Sequence, residues 1–321
     1  TLPFWTRRLR REIDAAQETK NILRFPMPFS LNRPTEALQF APADDTEWAT
    51  FTAKLLIHSG GDLSSEYIYE SWLELAHQEA LVKGSISVQG ALHNLRRGWK
   101  PPTTGMDNAH YFDDSACVRA IPIGVALAEN RDRMLETVTL DAIVTNAHDG
   151  LWAAQAMAMA IAELCSGSPI QTSIQRAQAM LPSGSWIERS VNEAIELAGQ
   201  PDVSTGFRLI PKLDLLVNKE YSYGGAAPEA VALAFAVTLL VNGNFELGIM
   251  HALAFPKLGD SLPALVGALC GAASDVDDFC GDHWTKVISE LKGICLPQMA
   301  GMDYLRLVND VVMLSATGAI G

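Results

Sequence analysis

Carboxylates gathered at the starts of amphipathic runs are the residues of this chain best suited to chemistry. Asp44-Asp45-Thr46-Glu47 opens one run, Asp113-Asp114-Ser115 precedes another, and Gly259-Asp260-Ser261 precedes a third. Oxygen donors grouped in this way are what Mg²⁺, Mn²⁺ or Ca²⁺ require. Each group also has a plainer reading, because Asp and Ser are preferred helix N-caps and Asp44 to Glu47 has the spacing of a capping box. The readings are compatible, since a residue at a helix start is fixed in place and its neighbour can face an ion. His148 precedes an Ala-rich run and reads either as a proton carrier, the usual task of an imidazole, or as a hydrogen-bonded boundary residue. The loop 220–228, with Tyr221, Tyr223 and Gly224, reads as a stacking surface for a base or ribose, or as packed tyrosines. Phosphate-binding Gly-Lys loops, His-Glu-x-x-His and Gly-x-Ser-x-Gly are all absent from the sequence, which removes the chemistry those motifs carry.

The elements that must position these residues are helices. Apolar residues recur at spacings of three and four, and Ala, Leu, Glu and Gln are frequent. The pattern predicts helices over 45–59, 64–80, 85–97, 114–129, 131–146, 150–166, 170–181, 186–198, 226–242, 244–256, 261–274, 282–293 and 302–314, with almost no strand. Short Gly and Pro clusters such as Ser59-Gly60-Gly61 and Leu181-Pro182-Ser183-Gly184 separate them, as suits antiparallel neighbours in a bundle. The fold class expected is therefore all-α, a single compact domain of many helices over 1–321, with 1–39 read as an incomplete N-terminal segment.

Composition narrows the partners. Of 321 residues 48% are hydrophobic and 19% charged, enough apolar material for a large core, and 24 Lys+Arg against 37 Asp+Glu leave a net charge of −13. Such a surface repels phosphate backbones and anionic membranes, so neither nucleic acid nor a membrane is an expected partner. The apolar stretch Val231 to Val241 falls short of the ~20 residues needed to cross a bilayer. Five cysteines without a Cys-x-x-Cys pair, and no charged-then-apolar leader after Thr1, lead to the expectation of a reducing cytoplasm.

The order of the acidic groups carries a resemblance. Asp44-Asp45-Thr46-Glu47-Trp48-Ala49 followed by Ser59-Gly60-Gly61-Asp62 resembles the N-terminal metal motif of the ADP-ribosylglycohydrolase family. The stretch from Asp113 through Arg119 and Pro122 to Gly124 is similar to that family's Gly-Asn-Gly-x-x-Met-Arg-x-x-Pro-x-Gly segment. Thr145-Asn146-Ala147-His148 is similar to its Thr-His segment, and Gly259-Asp260-Ser261-Leu262-Pro263 stands where it has Gly-Asp-Thr-Asp-Thr. The resemblance runs in order from about Phe40 to about Ala316. It implies an all-α orthogonal bundle with a metal cleft, and hydrolysis at the anomeric carbon of ADP-ribose. Metal would orient ribose hydroxyls and activate water, and a carboxylate would stabilise an oxocarbenium-like transition state.

The departures shape what is carried over. Ala43 replaces a Thr, Leu262 and Pro263 replace an Asp and a Thr, and Asp113-Asp114-Ser115 replaces the Gly-Asn-Gly loop, an acidic change that disfavours a phosphate there. The resemblance then implies metal ligands Asp44, Asp45, Asp260 and Asp114, with Mg²⁺ or Mn²⁺ as the ion. Catalytic roles fall to Asp45, Glu47 and His148, and substrate contacts to Asp113, Asp114, Ser115, Tyr221, Tyr223 and Gly224. The activity expected is metal-dependent hydrolysis of the glycosidic bond of an ADP-ribosyl or related ribosyl compound, the partner being a small molecule or an ADP-ribosylated substrate. The alternatives are an inactive relative that binds a nucleotide or protein, and a Mg²⁺-dependent enzyme acting on a diphosphate.

Overall fold

A computed structural model of the chain describes residues 43–318 apart from 79–80, 200–209, 221–222 and 275–288. These described residues belong to one compact unit, Ala41–Gly321. They form fourteen α-helices and no strand longer than an isolated bridge. The helices are α1 Asp44–His58, α2 Ser65–His77, α3 Ile86–Arg96, α4 Thr103–Met106, α5 Ser115–Ala126, α6 Arg131–Ala142 and α7 Asp149–Cys165. They continue as α8 Ile170–Ala179, α9 Trp186–Ala198, α10 Ile210–Leu213, α11 Ala227–Leu240, α12 Phe245–Ala252, α13 Ser261–Ala273 and α14 Tyr304–Gly318. The all-α expectation holds. No helix among the described residues is long and apolar enough to cross a membrane.

The centre of the bundle is made of small residues. α5 lies across α7 and α1, while α11 packs between α9 and α13. Every residue of α11 from Ala227 to Thr238 is buried, which fits a helix apolar on all sides and therefore central. At the crossing of α5 and α7, a Cβ on Gly124 would lie 2.9 Å from the carbonyl oxygen of Ala158. Glycine there lets the two backbones meet.

Arg119 joins this centre to the loops that carry the acidic groups. It is fully buried, and its Nε donates to Asp141 Oδ2 at 2.8 Å. Its terminal nitrogens donate to Ser115 O at 3.0 Å and Thr145 Oγ1 at 2.8 Å. The guanidinium also lies 5.0 Å from the centre of the Trp72 ring, which itself stacks on Trp48. A buried charge is tolerated when it is paired and its donors are satisfied.

Two predicted helices end four residues early, and a third is not helical where it is described. The run to 256 stops at Ala252, ahead of Pro256, which cannot donate to a continuing helix. The run to 146 stops at Ala142, because the Asn146 side chain is drawn toward residues 111–113. The predicted helix 282–293 lies mostly outside the described residues, and its described end is not helical: Glu290 pairs with Asp303 in an isolated bridge.

Candidate metal centre

Three helix starts converge on one cavity. α1 begins after Ala43 in extended conformation, with Asp44 and Asp45 in its first turn and no side-chain cap. Asp114 is the N-cap residue of α5 and Asp260 that of α13, and neither makes a side-chain capping bond. Capping, the plainer reading of these acids, is therefore not what their carboxylates do. The helix dipoles still favour negative charge at all three starts.

The backbone around Asp113 and Asp114 is held by the loop before α11. Asp114 N donates to Gly225 O at 2.8 Å, Ala227 N donates to Phe112 O at 3.0 Å, and Asp113 and Ala226 form an isolated bridge. This pairing turns the adjacent acids in opposite directions. Asp113 is fully buried and accepts from Ser87 Oγ at 2.6 Å, Ser87 N at 3.1 Å, Ser115 N at 3.2 Å, Asn146 Nδ2 at 3.2 Å and the Tyr223 hydroxyl at 3.1 Å. A carboxylate with so many donors is an organising centre, and it does not line the cavity. Asp114 does line it; only 4% exposed, it has an Oδ2 with no hydrogen-bond partner.

The cavity has a volume of about 310 Å³ and is lined by Asp44, Asp45, Asp114, Asp260, Tyr223 and Lys257 among others. One carboxylate oxygen from each of Asp44, Asp45 and Asp260 lies within 4.8 Å of the other two. Oxygens on either side of a divalent ion, bonded at about 2.1–2.6 Å, have this separation. Asp45 Oδ2 is a second buried oxygen without a partner. Lys257 carries the positive charge at the rim, its Nζ 2.7 Å from Glu229 Oε2 and 2.9 Å from Asn218 O.

Crowding and burial push these acids toward their protonated forms. Burial raises Asp114 to about 8, with Asp113 adding to the shift and a Ser261 hydrogen bond opposing it. Burial raises Asp45 well above its ordinary value, and Asp114, Asp44 and Asp260 reinforce it. Asp44 is raised by burial and then by Asp260. Buried oxygens without donors, repelling one another in a dry site, are what a bound cation relieves. The residues present thus fit a divalent ion.

Other predicted site residues stand elsewhere. Glu47 is not a cavity residue: its carboxylate accepts the backbone N–H groups of Ile294, Cys295 and Leu296, each at 2.8 Å, and ties α1 to that segment. His148 is exposed, has φ 47° and meets Tyr111 and Trp152 edge-on; it does not line the cavity either. Its neighbour Asn146 has the larger part, since it donates to Tyr111 O and Asp113 O and accepts from Ser115 Oγ. Ser115, Tyr223 and Gly224 line the cavity, while Tyr221 lies outside the described residues. Lys257, Gly225, Ser261 and Trp48 also line it and were not singled out from the sequence. Ser261 and Gly225 lie inside the motifs quoted above, whereas a lone Lys257 gives no signal.

The family model described as ADP-ribosylglycohydrolase matches residues 4–316. The chain belongs to the ADP-ribosylglycohydrolase family. The match begins well ahead of Phe40, where the motif resemblance starts. A solved structure titled "ADP-ribosylglycohydrolase-related protein complex" has a similar fold, with TM-score 0.60 and 16% identity over 88% of this chain and 84% of that one. No curated protein matches. ADP-ribosylglycohydrolases are mostly hydrolases and typically metal-dependent. Leu262, two residues after Asp260, is fully buried in the core.

Proposed function

We propose that the protein is a metal-dependent hydrolase that cleaves the glycosidic bond of an ADP-ribosyl or related ribosyl compound. Asp44, Asp45 and Asp260 would hold Mg²⁺ or Mn²⁺, with Asp114 beside them. The observation that carries this reading is the convergence of four carboxylates, two with sealed, unpartnered oxygens, on one cavity. When bound, the ion orients ribose hydroxyls and makes a water more acidic. Water adds its oxygen to the anomeric carbon, and the bond to the leaving nitrogen or oxygen breaks with its electron pair on that atom. Asp45 would receive the proton lost by water, and the leaving group is protonated in turn. The free thiols of Cys117, Cys165, Cys270 and Cys295 suit the reducing cytoplasm as its setting.

Turnover of ADP-ribosyl substrates with Mn²⁺, set beside calorimetric Mn²⁺ binding, tests the reading. Replacing Asp44 and Asp45 together by Ala is expected to abolish both. Turnover unchanged in that variant would sink the assignment. Metal binding by the wild type without turnover on any ribosyl substrate would favour a non-catalytic binder, the reading that buried Leu262 supports.

A further inference from the structure

Asp44 and Asp45 stand in the first turn of α1, which Glu47 ties to residues 294–296. Asp260 is placed differently. It is exposed and makes no side-chain capping bond. Its position within 4.8 Å of the other two acids is therefore set by the backbone on either side. Behind it is α13, whose Leu262 and Leu265 are buried in the core; ahead of it is the short 3₁₀ turn Pro256–Leu258.

Lys257 fastens that turn. Its side chain is mostly buried, and its ammonium donates to Glu229 Oε2 at 2.7 Å and to Asn218 O at 2.9 Å. Glu229, buried in the first turn of α11, also accepts from Asn218 N at 3.3 Å. One buried ion pair thus gathers the start of α11, the segment that enters the Tyr223 loop, and the turn ahead of Asp260. The loop presses on the same residue, since a Cβ on Gly224 would lie 2.2 Å from Lys257 O. Lys257 lines the cavity, yet its ion pair is with Glu229 and with none of the four carboxylates there. A lysine paired with those acids would neutralise them and compete with a metal ion; this one is turned toward Glu229.

We infer that Lys257 and Glu229 are positioning residues for the metal, holding Asp260 at ligand distance from Asp44 and Asp45 through the turn at 256–258. The inference rests on the function proposed above, of which it uses only the ion. Groups that bond directly to metal ligands are worth about 10–100-fold in affinity. Lys257 acts through the backbone, and Lys257→Met is expected to raise the Mn²⁺ dissociation constant of the full chain, read by calorimetry, at least about fivefold. That change leaves Glu229 buried without its partner, which destabilises. The double variant Glu229→Gln, Lys257→Met buries no charge and is measured beside it. It is expected to unfold cooperatively in urea and still to bind Mn²⁺ at least about fivefold more weakly than the wild type; a pair that served stability alone would leave its affinity unchanged. Asp260→Asn supplies the second arm. On that background Lys257→Met is expected to change the dissociation constant less than about twofold, because the ligand through which Lys257 acts is already gone. Wild-type affinity in the double variant, or the same fold-loss with and without Asp260, would overturn the inference and leave the proposed function standing. No Mn²⁺ binding by the wild type would remove the metal site on which both rest.

Discussion

Asp114→Asn without metal gives the sharpest test of the electrostatics. The carboxyl of Asp114 is raised from 3.8 to about 8 in the folded protein, first by burial and then by Asp113. A raised acid contributes stability that is fully present below about pH 3.8 and is lost as pH rises through about 8. At 1.36 kcal/mol for each pH step of one, the loss at Asp114 across that window has a ceiling of about 6 kcal/mol. The Asn amide carries no charge to desolvate, but a donor left unmet costs about 1–3 kcal/mol. The variant is therefore expected to be about 3–5 kcal/mol more stable than the wild type at pH 8, and about 1–3 kcal/mol less stable near pH 4. Urea unfolding at several pH values with a chelator present measures this directly. Parallel stability curves for the two proteins between pH 4 and 8 would refute the reasoning.

The remaining predictions concern the metal and the frame around it. Mn²⁺ at 100 times its dissociation constant is expected to stabilise the wild type by about 2.7 kcal/mol at pH 8, read as a rise in melting temperature that Asp45→Asn abolishes. Glu47→Gln removes the charge that receives Ile294, Cys295 and Leu296 N–H; a loss of about 1.5–3 kcal/mol is expected in urea unfolding, and no loss would show the clamp to be unimportant. Gly224→Ala places a Cβ 2.2 Å from Lys257 O, so the loop must shift; weaker Mn²⁺ binding by calorimetry is the expected result. Arg119→Met leaves Asp141 buried without its partner, at an expected cost of about 3–5 kcal/mol in the same unfolding assay.

Much of the fold was legible because helix formation is local. Spacing of apolar residues, Ala content and Gly or Pro breaks act within a few residues, and the helices from α1 to α13 longer than one turn stand close to their predicted windows. One misplaced end has a long-range cause: the 131–146 window closed early because Asn146 bonds to residues 111–113. The site was legible only in part. Asp44, Asp45 and Asp260 declared themselves by type and position, yet Asp113 and Asp114 look equivalent in sequence. The Gly225 to Ala227 pairing turns Asp113 into a bed of donors and leaves Asp114 facing the cavity.

Glu47 and His148 show the same limit, since a carboxylate beside a metal motif and an imidazole before a helix are chemically apt wherever they point. The sequence by itself determined the helices, the acidic starts of three of them, and the residue types able to hold a divalent ion. Tertiary structure alone decided which carboxylates meet and which lose their donors, because those contacts join residues separated by as much as 216 positions, from Asp44 to Asp260.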